Sequence, residues 1–450
     1  MMQSFEINRT DFLKIKQALE GDDEELSILL SEYHASEIAI LFKNLPVESQ
    51  KRIINLLSAE IASVVISEMD TESHPEDLLL LLHPEKRQEI VEELDYDDAT
   101  DIISQLDADD QHEILQDLDK EDASNIRNLL TYHSETAGGL MNTELIKVSS
   151  TMSKKQAIEE IITQSEEIEE FYTVYVVDEY DTLKGIISLK NLLKAQKGTQ
   201  VSDLINEDFI FVRYDIDQEE VANLISQYNL TSIPVVDENM RLLGRVTFDD
   251  VIDVLEEENT EDILKISGVS EDEELSGNWI EAVKSRLPWL ALNLVTAFLA
   301  SSVIRYFEPT LTKIVVIAGY MTVIAGMGGN AATQALAVTV RRITLSDLSD
   351  RQAYRTVIKE FTVGLVNGAI TGFVVFLFAL FYDLKLMLGL VVFIAMAGNL
   401  TIAGIAGSSI PLLLKRVGID PAIASSIIIT TFTDVFGFLL LLGLASKLLL

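Results

Sequence analysis

The last third of the chain alternates long apolar runs with short polar ones. Leu287–Ile304, Ile314–Val340, Phe361–Tyr382, Leu386–Leu414 and Pro421–Ser446 hold no charged residue except Asp434. Apolar runs of about 17–25 residues match the length of a membrane-spanning helix, so five such helices are predicted, the longer ones tilted or broken. Ahead of them the pattern has a shorter grain. His83–Leu94, Asp95–Leu106, Asp107–Leu118 and Asp119–Leu130 are consecutive blocks of equal length. Each opens on a polar residue, mostly Asp, and closes on a half rich in Ile and Leu. Asp suits an N-cap, and acids in the first turn suit the helix dipole. Ile90, Val91 and Leu94 then share one face, as do Ile102, Ile103 and Leu106. Helices this short are unstable alone, which predicts a stacked α-helical superhelix over residues 1–135. It reads as a regulatory or docking surface, or as a solvated acidic face.

Ala137-Gly138-Gly139 ends that pattern, and a different repeat follows. Val174–Leu193 recurs as Ile233–Ile252, each copy reading strand, turn, strand, helix. A helical stretch precedes each copy, Lys154–Gln164 and Gln218–Tyr228. Both copies keep the order Val-Val-Asp, then Gly-x-x-Ser/Thr, at Val176–Ser188 and Val235–Thr247. This resembles a tandem pair of CBS (cystathionine-β-synthase-type) modules, with the first at 136–200 and the second at 201–256. The resemblance implies an adenine nucleotide such as ATP in the cleft between modules. Thr247-x-x-Asp250 matches the Ser/Thr-x-x-Asp that family often uses on ribose, whereas Ser188-x-x-Asn191 departs from it.

Residues 248–283 read as an acidic helix linking these modules to the apolar spans at 284–450. Asp250, Asp253 and Glu257 lie three and four apart and share a face; Glu258, Glu261 and Asp262 form a second set beside it. Like charges so spaced destabilise a helix unless neutralised. Carboxylate clusters are ligands for hard divalent cations; a solvated acidic linker is the alternative.

Charge divides the chain in the same place. The 450 residues carry a formal net charge of -38, split into -44 before Lys284 and +6 from there on. Such acidity argues against nucleic acid as a partner. The absence of cysteine excludes disulfides, thiolate metal sites and cysteine nucleophiles. Met1–Gln17 lacks the apolar core of a signal peptide. Arg341, Arg342, Arg351, Arg355 and Lys359 cluster between the second and third spans, and Lys415 and Arg416 between the fourth and fifth. The positive-inside rule therefore expects the first 283 residues in the cytoplasm and the C-terminus outside.

A charge at mid-membrane costs roughly 2.5–3.5 kcal/mol on insertion scales, so Asp434 calls for a partner. The spans offer no Lys, Arg or His, and a cation is the simplest one left. The alternatives are a hydrogen bond to Thr430, Thr431 or Thr433, or protonation. Asn330, Thr333, Gln334, Asn399 and Thr401 add neutral oxygens that suit the waters of a hydrated cation. Mg2+ keeps several waters and so fits one carboxylate among neutral oxygens. One acid per chain is thin, which favours a symmetric dimer sharing two copies of Asp434.

The order of parts, with Gly328-Gly-Asn-x-x-x-Gln334 in the second span and Asp420-Pro-Ala and Thr433-Asp-Val-x-Gly437 at the fifth, resembles the MgtE family of bacterial magnesium channels. The fold class expected is a multidomain membrane protein: a helical N-terminal superhelix, an α/β CBS pair, a linking helix and five transmembrane helices. The resemblance implies a homodimeric Mg2+ channel of the bacterial inner membrane, closed by cytosolic Mg2+, with the linking helix as its plug. It maps the pore acid to Asp434 and the second-span Asn to Asn330; Asn399 and Thr433 are further candidates for the ion path. The resemblance puts regulatory Mg2+ among Asp98 or Asp101, Asp250, Asp253, Glu257, Glu258, Glu261 and Asp262. A carrier of Co2+ or Mn2+ is the alternative, which the lack of His and Cys in the membrane half disfavours. An anion channel conflicts with an unpaired Asp434. An intramembrane enzyme would need a nucleophile and base that the spans do not show.

Overall fold

The computed structural model describes residues 9–69, 73–165, 168, 171–270, 279–344, 349–423 and 426–450. It divides into two compact units, 1–256 and 257–450, each taken here by itself.

The first unit opens with ten short helices: α1 (Arg9–Ala18), α2 (Asp23–Leu30), α3 (Ala35–Phe42), α4 (Val47–Leu56), α5 (Ala59–Ser67), α6 (Pro75–Leu81), α7 (Pro84–Glu92), α8 (Tyr96–Ser104), α9 (Ala108–Asp117) and α10 (Lys120–Leu129). Alternate helices stack: α3 on α5, α5 on α7, α7 on α9, and in the other row α4 on α6, α6 on α8, α8 on α10. The reason is a spacing of twelve that runs well beyond the four blocks seen in the sequence. Leu30, Phe42, Ile54, Ile66, Leu78, Ile90, Ile102, Ile114 and Ile126 recur every 12 residues and all are buried. Each puts one large apolar side chain into a shared core that no single helix could close. Asp107 accepts from the backbone N–H groups of Asp109 and Asp110, and Asp119 from those of Glu121 and Asp122, so these blocks begin with true N-caps. Asp95 begins α8 without such a bond. Buried Arg87 of α7 reaches Glu113 at 2.8 Å and Asp117 at 3.1 Å on α9, a polar staple between stacked helices.

Two three-stranded sheets follow. The first has the order β1 (Lys147–Ser149), β2 (Thr173–Val177), β3 (Leu183–Ser188); the second has β4 (Val212–Arg213), β5 (Ser232–Val236), β6 (Leu242–Thr247). In both, a parallel pair is followed by an antiparallel hairpin with an irregularity in the same place, between Val176 and Val177 and between Val235 and Val236. α11 (Lys154–Gln164) and α13 (Gln218–Tyr228) fall on the predicted residues, and α12 (Leu189–Lys194) follows β3. The two hairpins meet: the Leu183 N–H donates to the Met240 carbonyl at 2.8 Å and the Leu242 N–H to the Asp181 carbonyl at 3.0 Å.

α14 (Phe248–Ser267) starts in the first unit and ends in the second. Gly268 stops it with φ +74°. The Gly268 and Val269 N–H groups turn back onto the Lys265 and Leu264 carbonyls, as at a left-handed C-cap. The linking helix expected over 248–283 is therefore shorter: residues 271–278 lie outside the described residues, and Trp279 already belongs to the next helix.

The second unit holds α15 (Trp279–Tyr306), α16 (Glu308–Lys313), α17 (Ile317–Thr344), α18 (Asp350–Tyr382), α19 (Leu386–Val417) and α20 (Ser426–Leu448). Among the described residues, five helices are long and apolar enough to cross a membrane: Ala282–Tyr306, Ile317–Thr344, Asp350–Tyr382, Leu386–Val417 and Ile427–Leu448. α19 packs on α17, α18 and α20. The fifth span starts later than Pro421. Asp420 accepts from the Ala422 N–H at 2.8 Å and turns the chain into a short 3-10 segment, Pro421–Ile423, before α20.

Candidate functional site: an acid-lined cavity and an acidic cluster

The second unit holds an open cavity of about 620 Å3. α17 lines it with Gly326, Gly329, Asn330 and Thr333, and α20 with Thr430 and Asp434. Helical spacing places Thr430 over Asp434, and Asn330 over Thr333, so each helix offers one polar stripe. Asp434 is half-buried and, among the described residues, is the sole carboxylate lining this cavity. The nearby threonines do not satisfy it. Thr430 and Thr431 donate to the Ile427 carbonyl at 3.2 and 2.7 Å, and Thr433 to the Thr430 carbonyl at 2.9 Å. Asn399 and Thr433, expected along the ion path, stand behind the wall. Both are fully buried, with the Asn399 amide tied to the Ile324 carbonyl at 3.0 Å. Asn330 also borders a second cavity of about 150 Å3, whose other polar walls are Gln334, Asn367 and Thr371.

The end of α14 closes one side of the large cavity through Ile266 and Ser267. Ile266 packs with Ala332, Leu336 and Ala422. Lys265 is paired with Glu261 and reaches Asp420 at 3.0 Å. The Thr344 hydroxyl donates to Asp262 at 3.3 Å, and Arg341 donates to the Asn259 side-chain amide Oδ1 at 3.1 Å. Burial, and then the charge of Asp420, raises the Asp262 carboxyl above its ordinary range. So Glu261 and Asp262 already have side-chain partners beside the cavity.

A second concentration of charge lies in the first unit, where α8 meets the start of α14. Asp97 is held well above the usual carboxylate range by burial, then by Asp250, Asp98 and Asp95. Asp98 is pushed up to about 7 by burial, then by Asp95, Asp250, Asp101 and Glu68. Asp250 is raised by burial against the hydrogen bonds it accepts from the Thr247 hydroxyl at 2.5 Å and N–H at 3.1 Å. Glu144 is pushed up to about 7 by burial, then by the charge of Asp95 and a hydrogen bond to it. Asn142 donates to Asp97 at 3.1 Å. Asp253 differs: burial raises it, followed by Glu256 and Asp249 of its own helix.

These raised carboxyls fix the sign of a pH effect. The folded unit binds more protons than the unfolded chain between about pH 4 and 7, so its stability falls as pH rises through about 7 and is recovered on acidification. In Mg2+-free buffer, limited proteolysis of the full-length chain is expected to cut α8 and α10 more slowly at about pH 6 than at about pH 8. Asp98→Asn should flatten that difference. Faster cutting at the lower pH would contradict the assignment.

Comparison with known proteins decides the family. The model for the divalent cation transporter MgtE matches residues 321–444, that for the MgtE intracellular N domain matches 33–135, and CBS domain models match 137–198 and 201–257. "Magnesium transporter MgtE" of Thermus thermophilus is 34% identical over 446 residues, which is 97% of this chain and 98% of that one. The protein of the same name from Enterococcus faecalis is 38% identical over 324 residues, covering 72% of this chain and 71% of its own. The chain belongs to the MgtE family. A crystal structure of the cytosolic domain of the Mg2+ channel MgtE in complex with ATP covers 54% of this chain and 99% of its own, with 34% identity and a TM-score of 0.52. The soluble part of a magnesium transporter covers 55% of this chain and 98% of its own, with 30% identity and a TM-score of 0.50.

Within this MgtE chain the expected acids separate into groups. Asp250 and Asp101 both contribute to the field at Asp98. Glu261 and Asp262 sit with Lys265, Thr344 and Asp420. Glu257 is exposed and Glu258 half-buried on α14. Asp95, Asp97, Asn142 and Glu144 were missed. Asp95 read in the sequence as an N-cap like Asp107 and Asp119, which hid its part in this cluster. Glu144 and Asn142 carried no signal. Thr247 and Asp250, matched to a ribose motif, are hydrogen-bonded to each other.

Proposed function

We propose that this chain is a Mg2+ channel of the bacterial cytoplasmic membrane, closed by Mg2+ on its cytoplasmic side. The carrying observation is the large cavity with, among the described residues, a single carboxylate, Asp434, beside the neutral oxygens of Asn330, Thr333 and Thr430. Mg2+ gives up its waters reluctantly, and an open cavity of about 620 Å3 with one carboxylate among neutral oxygens suits an ion that keeps them. A lone fixed charge attracts a divalent cation and lets it leave. Two copies of the chain about a twofold axis would double that charge, which is the reading we adopt for the oligomer.

Closure follows from the first unit. Asp97 is buried, Asp98 and Asp250 are half-buried and Asp95 is exposed, and each raises the charge cost of the others, a repulsion that a divalent cation relieves. Mg2+ bound there favours the compact arrangement over an open one, a population shift set by the difference in affinity. α14 is the covalent link between the units: it carries Asp250 at its start and Ile266 and Ser267 at its end. The relative crystallised as an ATP complex supports an adenine nucleotide in the CBS pair. In that role Thr247 and Asp250 must exchange their mutual hydrogen bond for the ribose. The acidic domains are assigned to the cytoplasm and the C-terminus to the outside.

The test is electrical. Currents through the reconstituted chain under asymmetric MgCl2 should reverse near the Mg2+ equilibrium potential, with Co2+ and Mn2+ carrying less. Reversal at the chloride potential would overturn the reading.

A further inference from the structure

The crossing of α17, α19 and α20 holds a polar group set back from the cavity lining. Asn399 of α19 is fully buried. Its Nδ2 donates to the Ile324 carbonyl of α17 at 3.0 Å, while its Oδ1 has no hydrogen-bond partner among the described residues. Two glycines make its seat. A Cβ on Gly437 of α20 would lie 2.8 Å from Nδ2 and 3.2 Å from Oδ1, and one on Gly328 of α17 would collide with the same amide. The amide therefore fills a slot that exists because both neighbouring helices lack a side chain there. Gly328 is two residues from Asn330 and Gly437 three from Asp434, so the slot lies at the level of the cavity wall.

A buried amide oxygen without a donor keeps its full desolvation penalty. A small apolar residue would pack the slot without that penalty, and such local conflicts concentrate at functional positions. Asn399 is bonded to α17 and only abuts α20, so it holds the spacing of the two lining helices from behind. We propose that Asn399 is a positioning residue of the cation path: the α17–Asn399–α20 node sets how Asn330 and Asp434 oppose each other, and with that the preference for hydrated Mg2+ over monovalent cations. This rests on the reading of the Asp434 cavity as that path.

The experiment uses the full chain in proteoliposomes, with Mg2+ uptake and the Mg2+/Na+ permeability ratio from reversal potentials. Asn399→Ala is expected to insert and keep its thermal midpoint within about 4 °C. It should conduct, yet its apparent Mg2+ affinity and its permeability ratio should each fall at least about fivefold. Gly437→Ala alone should cut uptake about tenfold by displacing the amide, and adding Asn399→Ala should restore it to the level of Asn399→Ala. Parental affinity and ratio in Asn399→Ala, or simple additivity in the double variant, would overturn the proposal. Asn399→Ser serves the same test if the alanine variant does not insert. Asp434→Asn separates the two readings. If it conducts normally, the cavity is not the path. If it is silent while Asn399→Ala keeps the parental ratio, the role of Asn399 alone fails.

Discussion

Asp434→Asn is expected to lower Mg2+ conduction at least about tenfold, the scale of a lost interaction of roughly 1.4 kcal/mol. The substitution keeps shape and hydrogen-bonding capacity and removes only the charge. Asn330, Thr333 and Thr430 remain in place to hold waters, so the variant isolates electrostatics from geometry. The effect should be large because, among the described residues, the cavity lining offers no second carboxylate to take over. The threonine hydroxyls beside Asp434 donate to backbone carbonyls, so they do not share its charge in the parent and gain no new role in the variant. Mg2+ current measured in correctly inserted protein decides it, and parental current would remove Asp434 from the path.

Replacing Asp98 and Asp250 together by Ala is expected to give a channel that conducts and no longer closes when cytosolic Mg2+ rises. These two half-buried acids share one field although they sit on different elements, α8 and α14. A divalent cation between them gains from both charges, whereas one bound along α14 alone would gain little. With both carboxylates gone, Mg2+ has no preferential hold on the compact state, and a ligand with equal affinity for two states shifts nothing. Patch-clamp current against cytosolic Mg2+ reads the outcome. Inhibition as steep and as sensitive as in the parent would reduce these acids to a structural cluster. Asp253→Ala is the useful control, because its field comes from Glu256 and Asp249 on its own helix.

Local pattern made much of this legible. The helices at Lys154–Gln164 and Gln218–Tyr228 sit where the sequence placed them, since each is set by its own periodicity and N-cap. The blocks from His83 to Leu130 became helices through the same periodicity, with side-chain N-caps only at Asp107 and Asp119. Their earlier partners escaped notice because the repeated unit is one buried position in twelve, from Leu30 to Ile126, while the residues between vary freely. β1 and β4 escaped because strands of three and two residues carry no period of their own. The start of α20 was misplaced because Asp420 can cap a turn as readily as a helix. Asp434 stood out in the sequence by isolation alone. The Asp98–Asp250 juxtaposition did not, because only the packing of α8 against the start of α14 brings them together.

The measurement that tests the account most directly is Mg2+ uptake into proteoliposomes holding the full chain, with the vesicle interior either free of Mg2+ or loaded with it at the acidic domains' side. The account predicts rapid uptake into the Mg2+-free interior and at least about tenfold slower flux per unit driving force once the interior is loaded, a coupling of roughly 1.4 kcal/mol. Flux that is absent in both cases, or that is indifferent to internal Mg2+, would contradict it.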